Sequence, residues 1–397
     1  MKLFITTLLL GLTVLLNAQT DEIHGYKKLE DLTIQSANLG YKKFMRVYAP
    51  EGYDANGTKK YPVIIIFDRQ NAINCSYQLQ TIGYLTSMGQ IPQSVVITVA
   101  SQPNRRGPET IVKASGSNAM GEQNEKFIMD ELIPYAQQHY HTNSFELLVG
   151  HSRYGYFTSY MLTQHMDKLN GVISISPFFM QPNVNLVDSM VAAVATTKGI
   201  VNNVYYMVAT GDSIPDTHDY ALMKKALNDT VLPNFFKCKG YEFYDGYHMS
   251  TPGLTLNNAL YDIFSQWTVG ANKYYRDTMA TPTEKKKYDK YMMGIIDYGD
   301  TLPFSLGVLN GKAWQYYNNN RYGKAVEAWQ VAIGAYPGFI ELYLYMAQAE
   351  LDLNKPTEAK RYIQQYKAYI KKSTYYNRKD RKELKKDLKA LQKNKLM

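Results

Sequence analysis

The sequence predicts an α/β fold, with a mostly parallel central sheet covered by helices on both faces, followed by a small all-α segment. Short β-branched runs alternate with helical stretches through the first 270 residues, which is typical of βαβ units. After residue 305 a repeat of small and aromatic residues replaces that alternation. With 397 residues, of which 45% are hydrophobic and 20% charged, the chain is long enough for one large and one smaller folded unit.

Residues 1–18 are predicted to form a secretory signal peptide. Lys2 precedes an apolar run that is too short to span a membrane, and Leu16-Asn17-Ala18 provides a small-residue cleavage context. No later run reaches 18 apolar residues, so no membrane span is expected in the mature chain. We therefore expect a periplasmic or extracellular protein. Export also argues against a nucleic-acid partner, and the net charge of +9 comes from residues 355–397, because the rest of the chain is almost neutral.

Strands with helical stretches between them are expected after an initial pair of extended segments. That pair covers residues 32–36 and 43–48 around a turn at Asn38-Leu39-Gly40. Continuous apolar runs typical of buried central strands follow at 61–67, 94–100, 145–149, 171–175 and 204–209, with a short strand at 241–244. Helices are expected at 123–138, 156–165, 218–232 and 254–267. Because ligands bind at the carboxyl ends of parallel strands, the functional residues should lie where these runs end.

The chain is expected to divide into a domain of about 28–270, a linker at 271–305, helical hairpins at 306–372 and a basic helical tail at 373–397. Alanines 34 residues apart, such as Ala313 and Ala347, indicate a tetratricopeptide-like repeat in the hairpins. One helix pair and a partial second cannot bury a repeat core alone. We therefore expect the hairpins to pack on the large domain or on a protein partner.

A serine on a tight turn is the strongest functional signal. The run at 145–149 leads into Gly150-His151-Ser152-Arg153-Tyr154-Gly155, and a helix-like segment follows. This arrangement is typical of a nucleophile elbow, which exposes the serine hydroxyl. The usual motif has glycine two residues after the serine, where this chain has Tyr154. Either an outward Tyr154 is tolerated or the elbow is distorted.

A serine nucleophile needs a base, and the base needs an acid to orient it. His248 follows a short strand and comes 96 residues after Ser152, in the chain order of α/β-hydrolase triads. The acid should lie between them, and we favour Asp212 at the tip of the run at 204–209. Asp216 and Asp219 on the same loop stay open.

Eight short motifs, taken in order, resemble the enterochelin-esterase-like and esterase D-like branch of the α/β-hydrolases. The likeness runs from about Tyr41 to Trp267, and relatives with a signal peptide and a C-terminal tetratricopeptide-like segment are similar in layout. The motifs are Arg46-Val47-Tyr48-Ala49-Pro50, Tyr61-Pro62-Val63-Ile64-Ile65-Ile66-Phe67-Asp68, Ile91-Pro92, Asn104-Arg105-Arg106, Glu131-Leu132-Ile133-Pro134-Tyr135, Gly150-His151-Ser152, Ser176-Pro177 and Gly246-Tyr247-His248.

The resemblance implies an α/β-hydrolase fold and a triad of Ser152, His248 and an acid. It also implies an oxyanion hole formed by the backbone N–H of Arg153 and a second N–H near Arg69 or Gln70. Relatives often carry Asp-Gly in that second loop, whereas this chain does not. In such a fold Cys75 and Cys238 lie far apart, so two free thiols are expected.

These observations predict an exported serine esterase that hydrolyses a small-molecule carboxylic ester through an acyl-enzyme, with no metal and no cofactor. Arg105 and Arg106 are candidates to meet an anionic substrate group, and Phe178 is a candidate for an apolar acyl wall. The alternative is a catalytically degenerate hydrolase-fold protein that recruits a partner through its helical repeats. Tyr154 favours that alternative, whereas the complete serine, acid and histidine order favours the enzyme.

Overall fold

The computed structural model describes residues 23–55, 57–113, 118–212, 216–279, 283–295, 298–299, 302–372 and 376–395. The predicted signal peptide lies outside these residues. The strands are β1 (Tyr26–Gln35), β2 (Lys42–Pro50), β3 (Tyr61–Ile66), β4 (Val95–Ala100), β5 (Thr142–His151), β6 (Gly171–Ile175), β7 (Met180–Gln181), β8 (Val184–Asn185), β9 (Val204–Thr210) and β10 (Phe236–Glu242).

The strands form one eight-stranded sheet and one small hairpin in the described part of the chain. The order in the large sheet is β1-β2-β4-β3-β5-β6-β9-β10. The β1–β2 and β2–β4 pairs are antiparallel, and the pairs from β4 to β10 are parallel. All six residues of β3 are buried, as expected of a central strand covered on both faces. The predicted mostly parallel α/β fold is confirmed.

Helices cover both faces of this sheet. A π-helical turn over Phe127–Leu132 joins α2 to α3. The helices are α1 (Ala72–Ser87), α2 (Gly121–Lys126), α3 (Ile133–His139), α4 (Arg153–Gln164), α5 (Leu186–Thr196), α6 (Asp216–Asn228), α7 (Thr251–Ile263), α8 (Ser265–Arg276), α9 (Glu284–Met293), α10 (Leu306–Asn318), α11 (Tyr322–Ala335), α12 (Glu341–Asp352), α13 (Pro356–Lys372) and α14 (Arg378–Lys395).

The alternation of side chains along β3 builds two separate cores. Ile64 and Ile66 point to the face covered by α1 and α7. Val63 and Ile65 point to the opposite face, covered by α2 to α6. The sheet is therefore held from both sides, and its carboxyl edge is a rigid platform for the loops that carry polar residues.

The C-terminal helices continue the core of the first face. Buried apolar side chains run without a break from Ile64 through Trp267 and Phe304 to Trp329. The Trp267 Nε1–H donates to the Leu302 carbonyl at 3.3 Å. The helical segment therefore packs on the α/β domain, which is one of the two placements that the sequence allowed.

Residues 271–305, expected to be a linker, contain the end of α8 and all of α9. The buried ammonium group of Lys312 donates to the carbonyl oxygens of Tyr274 and Tyr275 at 2.9 and 3.2 Å, which caps the end of α8. This stretch is therefore a packed connection, because the carbonyls left open at the end of α8 are satisfied by a side chain from α10.

Two further sequence expectations concern membranes and cysteines. None of the helices within the described ranges is both long and apolar enough to cross a bilayer. Cys75 lies buried on α1 and Cys238 lies on β10, and both thiols are free. The prediction of two unpaired cysteines is confirmed.

Candidate active site

Ser152 lies on a sharp turn between β5 and α4, at the carboxyl end of a central strand. Its φ and ψ are 59° and −118°, a strained conformation for a residue with a side chain. Its backbone N–H donates to the Ile175 carbonyl on the neighbouring strand β6 at 2.8 Å. A half-buried serine held on a strained strand-to-helix turn has the geometry of a nucleophile elbow.

Two glycines make this turn possible. A Cβ atom on Gly150 would lie 2.1 Å from the Tyr154 carbonyl oxygen, and one on Gly155 would lie 2.9 Å from the Ile175 carbonyl oxygen. Both neighbours are backbone atoms, so neither position has room for a side chain. The close approach between helix and strand that glycine permits thus occurs at Gly155, three residues after the serine.

Tyr154 fills the core beneath the elbow. Its side chain is fully buried, and its ring stacks on Phe67 with centroids 4.6 Å apart and planes 4° apart. Its hydroxyl donates to Glu109 Oε2 at 2.7 Å. The outward orientation considered from the sequence is wrong, because the ring packs inward and supports the turn from below.

Glu109 organises the polar floor below Tyr154. Its carboxylate accepts hydrogen bonds from Lys43 Nζ at 2.9 Å, the Tyr41 hydroxyl at 2.7 Å and the Ser101 hydroxyl at 2.6 Å. Burial raises the pKa of Glu109, but the Lys43 charge and these donors outweigh it and hold the pKa below its usual value. A buried, ionised carboxylate with this many donors fixes the elbow on a rigid base.

The imidazole of His248 is held by Asp216. The distance from His248 Nδ1 to Asp216 Oδ2 is 2.5 Å. His248 lies in the loop between β10 and α7, and Asp216 is the buried first residue of α6. The Asp212 preferred from the sequence is not the partner, because its carboxylate makes no hydrogen bond to His248 in the described part of the chain. Its backbone N–H donates to the Gly246 carbonyl at 2.8 Å.

The third acid on this loop has a structural task. The carboxylate of Asp219 accepts the backbone N–H of Phe179 at 2.7 Å and is buried. It therefore anchors the segment after β6, and only Asp216 among the three acids contacts His248.

His151 contacts His248 from the elbow side. Its Nε2–H donates to the His248 carbonyl oxygen at 2.8 Å, and the two rings lie 4.7 Å apart at 42°. Burial lowers the pKa of His151 to about 4, so its ring is neutral near pH 7. His151 therefore ties the His248 loop to the elbow.

His151 precedes Ser152 in the chain and bonds to the His248 carbonyl oxygen, but Ser152 and the His248 ring are not directly bonded. No hydrogen bond joins Ser152 Oγ to the His248 ring in the part of the chain that the structure describes. In sites without substrate such bonds are often long and shorten only when substrate binds. The structure therefore joins two of the three expected triad members and places the third beside them.

Backbone N–H groups near Ser152 provide an electrophilic site. The Arg153 N–H is at the first position of α4, where no partner within the helix exists. The Arg69 N–H donates to the Val99 carbonyl at 3.0 Å, so Arg69 is excluded as the second donor expected from the sequence. The Gln70 N–H has no acceptor among the described residues, which leaves it as the candidate.

The side chain of Arg106 is engaged by the protein itself. Its Nε and Nη2 atoms each lie 2.7 Å from an oxygen of Asp68. The expectation that Arg106 meets an anionic substrate is therefore wrong for this structure, because the fork that would grip an anion is already occupied.

Arg105 and Phe178 remain open to substrate. The guanidinium of Arg105 is exposed and lies over the ring of Tyr41 at 4.7 Å. The ring of Phe178 is half-buried and stacks on Tyr156 at 4.9 Å. Neither residue is fixed by a charged partner, so their predicted roles in substrate binding stay predictions.

Exposed apolar side chains close in sequence to the candidate catalytic groups were missed from the sequence. Tyr247 and Met249 flank His248 and are 81% and 63% exposed, and Ile73 near the start of α1 is 87% exposed. The signal was available, because all three lie within three residues of a candidate catalytic group. Within the described residues no cluster of histidine, cysteine and acidic side chains could hold a metal ion.

Comparison with known proteins gives the family and the fold of the chain. A family model described as "Putative esterase" matches residues 36–248. An uncharacterised protein from Capnocytophaga ochracea DSM 7271 is similar in structure, with 15% identity, a TM-score of 0.58 and coverage of 93% of this chain and 100% of that one. An IroE-like serine hydrolase from Shewanella oneidensis shows 14% identity, a TM-score of 0.59 and coverage of 77% and 99%.

A third similar structure, the BES protein from Bacillus cereus, shows 14% identity and a TM-score of 0.52 over 62% of this chain and 98% of that one. At these identities the likeness concerns the fold. No curated protein matches the sequence.

Proposed function

The chain belongs to the esterase family whose model it matches, and we propose that it hydrolyses carboxylic esters through an acyl-enzyme formed on Ser152. In this mechanism His248 takes the Ser152 proton as Oγ attacks the ester carbonyl. Asp216 holds the imidazole in the right tautomer and stabilises its positive charge. The N–H groups of Arg153 and Gln70 bind the oxyanion of the tetrahedral intermediate.

The second half of the reaction uses the same groups. His248 returns the proton to the departing alcohol, and the acyl group stays on Ser152. Water then attacks the acyl-enzyme while His248 takes its proton, and collapse of the second tetrahedral intermediate releases the acid and restores the serine hydroxyl. No metal or cofactor is needed in this scheme.

One observation carries the proposal: the 2.5 Å contact between His248 and Asp216 beside a strained serine turn. The alternative, a degenerate hydrolase-fold binding protein, was favoured by Tyr154. That support is lost, because Tyr154 packs under the turn and leaves its strained geometry in place. The esterase is therefore the better account.

The exposed apolar side chains of Tyr247, Met249 and Ile73 favour esters with a bulky apolar group. Exposed large apolar side chains usually mark an interaction or ligand site when they cluster. Tyr247 and Met249 lie on the loop that carries His248, and Ile73 follows the loop that carries Gln70. The Tyr77 hydroxyl donates to the Gly253 carbonyl at 2.9 Å, so α1 and α7, the helices that follow these two loops, are held next to each other.

The direct test is hydrolysis of p-nitrophenyl acetate and p-nitrophenyl butyrate by the wild-type protein, Ser152→Ala and Ser189→Ala. Ser189 is a partly exposed serine on α5 and serves as the matched control. We expect Ser152→Ala to lose at least 10³-fold in kcat, in line with loss of a triad member, and Ser189→Ala to match the wild type. Equal rates for wild type and Ser152→Ala would exclude the proposal.

Export is proposed from residues 1–18 alone. The expected product in a bacterial host is a secreted or periplasmic chain that begins at Gln19, which N-terminal mass analysis measures. A full-length chain retained in the cytoplasm would contradict export without affecting the esterase proposal.

The C-terminal helices are proposed to be tetratricopeptide-like and to bind a protein partner. A cleft supports the binding of a partner. It has a volume of about 1060 Å³ and lies between these helices and the α/β domain, and the aromatic side chains that line it include Tyr61, Tyr336 and Phe339. Cross-linking of the exported protein in its host, compared with Phe339→Ser, would test the proposal. If no cross-linked protein is lost in the Phe339→Ser variant, the proposed partner binding is contradicted.

A further inference from the structure

The loop after β3 is held by a compact polar cluster. Asp68 has a positive φ of 65° and is 5% exposed. Arg106 grips both of its carboxylate oxygens at 2.7 Å, and the Gln70 side-chain amide donates to Asp68 Oδ1 at 2.7 Å. A residue with a side chain stays in this backbone region only when its surroundings hold it there.

The same guanidinium reaches the elbow. Arg106 Nη2 donates to the carbonyl oxygen of His151 at 3.3 Å, and His151 directly precedes Ser152. The Gln70 side chain is fixed from its other end, because its Oε1 accepts the Ser101 N–H at 2.9 Å. One planar group therefore bridges two segments that are far apart in the chain.

These two segments carry the two candidate oxyanion donors. The Gln70 N–H belongs to the β3 loop, and the Arg153 N–H belongs to the elbow. An oxyanion hole works only if both donors lie about 2.7–3.1 Å from one developing charge. An Arg–carboxylate pair with two parallel bonds has a fixed geometry that a lysine cannot reproduce.

We propose that Arg106 is a positioning residue that, through Asp68 on one side and the His151 carbonyl on the other, sets the spacing of the Gln70 and Arg153 N–H groups. The inference rests on the proposed esterase function. Arg106 does not touch the substrate in this account. Its removal therefore weakens transition-state binding and leaves ground-state substrate binding in place.

The experiment measures kcat and KM for p-nitrophenyl butyrate with Arg106→Lys, Arg106→Gln and Asp68→Asn. Rates are expressed per active site, counted by titration with a fluorophosphonate, so that loss of folded protein does not lower them. The matched control is Arg46→Gln, which removes another Arg–Asp pair, with Asp31 at 2.5 Å, between the edge strand β1 and its neighbour β2.

The expected result is a loss of roughly 10- to 100-fold in kcat for each Arg106 and Asp68 variant, below the full loss of an oxyanion donor, with KM within threefold of wild type. The Arg106→Gln and Asp68→Asn double variant should lose no more than the worse single variant, because both changes open one contact. Arg46→Gln should match the wild type.

Two results would overturn the inference. One is a kcat per active site within twofold of wild type in every Arg106 and Asp68 variant. The other is a raised KM with unchanged kcat, which would return Arg106 to substrate binding. Absence of ester hydrolysis in the wild type would instead refute the proposed function, so the two failures are distinguishable.

Discussion

At the scale of single residues, the proposed activation of Ser152 depends on which carboxylate holds the His248 imidazole. The structure gives that place to Asp216, whose oxygen lies 2.5 Å from Nδ1. Replacing Asp216 by Asn keeps the shape of the side chain and removes its charge. The imidazole then loses the partner that fixes its tautomer and stabilises its protonated form.

Asp216→Asn is therefore expected to lower kcat for p-nitrophenyl butyrate on the order of 10³- to 10⁴-fold. Asp212→Asn is the matched control, because it makes the same chemical change four residues earlier on the same loop. We expect it to stay within a few-fold of wild type. A large loss in Asp212→Asn and none in Asp216→Asn would show that the contact in the structure is not the functional one.

The sequence located this loop but could not select the acid. Asp212, Asp216 and Asp219 lie within eight residues after one strand, and chain order is the same for all three. The choice depends on where α6 begins, which places Asp216 at the first helical position, and on the contact of Asp219 with the Phe179 N–H. Arg106 was misassigned for a similar reason, since its partner Asp68 is 38 residues away.

At the scale of elements, the elbow depends on how closely α4 approaches β6. A Cβ atom at position 155 would lie 2.9 Å from the Ile175 carbonyl oxygen, a backbone atom that cannot move aside cheaply. The glycine that seemed displaced in the sequence thus performs the close packing that the motif requires.

Gly155→Ala is expected to lower the free energy of unfolding by roughly 1–3 kcal/mol, as overpacking does, and to reduce esterase activity. Gly334→Ala on α11 is the control, since a Cβ there meets nothing within 4 Å. In a helix that change should be neutral or stabilise by up to about 1 kcal/mol. Urea unfolding measures both, and equal stability of the two variants would contradict the packing argument.

The exposed apolar residues on either side of His248 predict a preference for esters with long acyl chains. The Tyr247→Ser and Met249→Ser double variant should lose roughly tenfold or more in kcat/KM for p-nitrophenyl octanoate, because apolar contact area with the acyl chain is removed. Its kcat/KM for the acetate should change less than threefold. Val201→Ser and Val231→Ser change exposed apolar residues elsewhere and should affect neither ester. Equal losses on both esters would refute an apolar acyl site.

Two of the elements that the sequence missed or shortened have identifiable physical causes. Helix α1 exposes Ile73 and Tyr84 to solvent, so its apolar residues do not follow one helical face. Strand β10 begins at Phe236, earlier than the expected 241–244. Its start was missed because it is an edge strand with lysines at alternate positions, which break up the apolar run. Central strands were located well, since burial on both faces leaves an unbroken apolar run.

At the scale of the whole molecule, one buried carboxyl group couples stability to pH. Glu146 on β5 is 4% exposed, and its Oε1 accepts the Gln137 amide at 2.9 Å. Burial raises the pKa of Glu146 to about 7. An acid whose pKa is higher in the folded protein stabilises the fold when protonated, and this contribution is lost as the pH rises from about 4.5 through 7.

Glu146→Gln keeps a neutral hydrogen-bonding group and should remove this pH dependence. We compare the free energy of unfolding of Glu146→Gln with that of the wild type at each pH. The difference, variant minus wild type, should be more positive at pH 8 than at pH 5 by roughly 3 kcal/mol. The exposed Glu51→Gln is the control and should show no such difference. Parallel curves for Glu146→Gln and wild type between pH 5 and 8 would show that Glu146 ionises normally.

The packing of the C-terminal helices also belongs to this scale. The sequence indicated helical hairpins from spacing alone but left open whether they cover this chain or another. That choice depends on long-range contacts such as the donation of the Tyr298 hydroxyl to the Ile263 carbonyl at 2.9 Å. No local pattern encodes such a contact, because its two residues are 35 positions apart.

In the proposed mechanism Ser152 is a nucleophile activated by His248. Reaction of the folded protein with a fluorophosphonate, followed by peptide mass mapping, tests this directly. We predict one adduct, on the peptide that contains Ser152, slower labelling in His248→Gln, and no adduct in Ser152→Ala. A folded wild-type protein that stays unlabelled at Ser152, or a Ser152→Ala variant labelled as fast as wild type, would contradict the account.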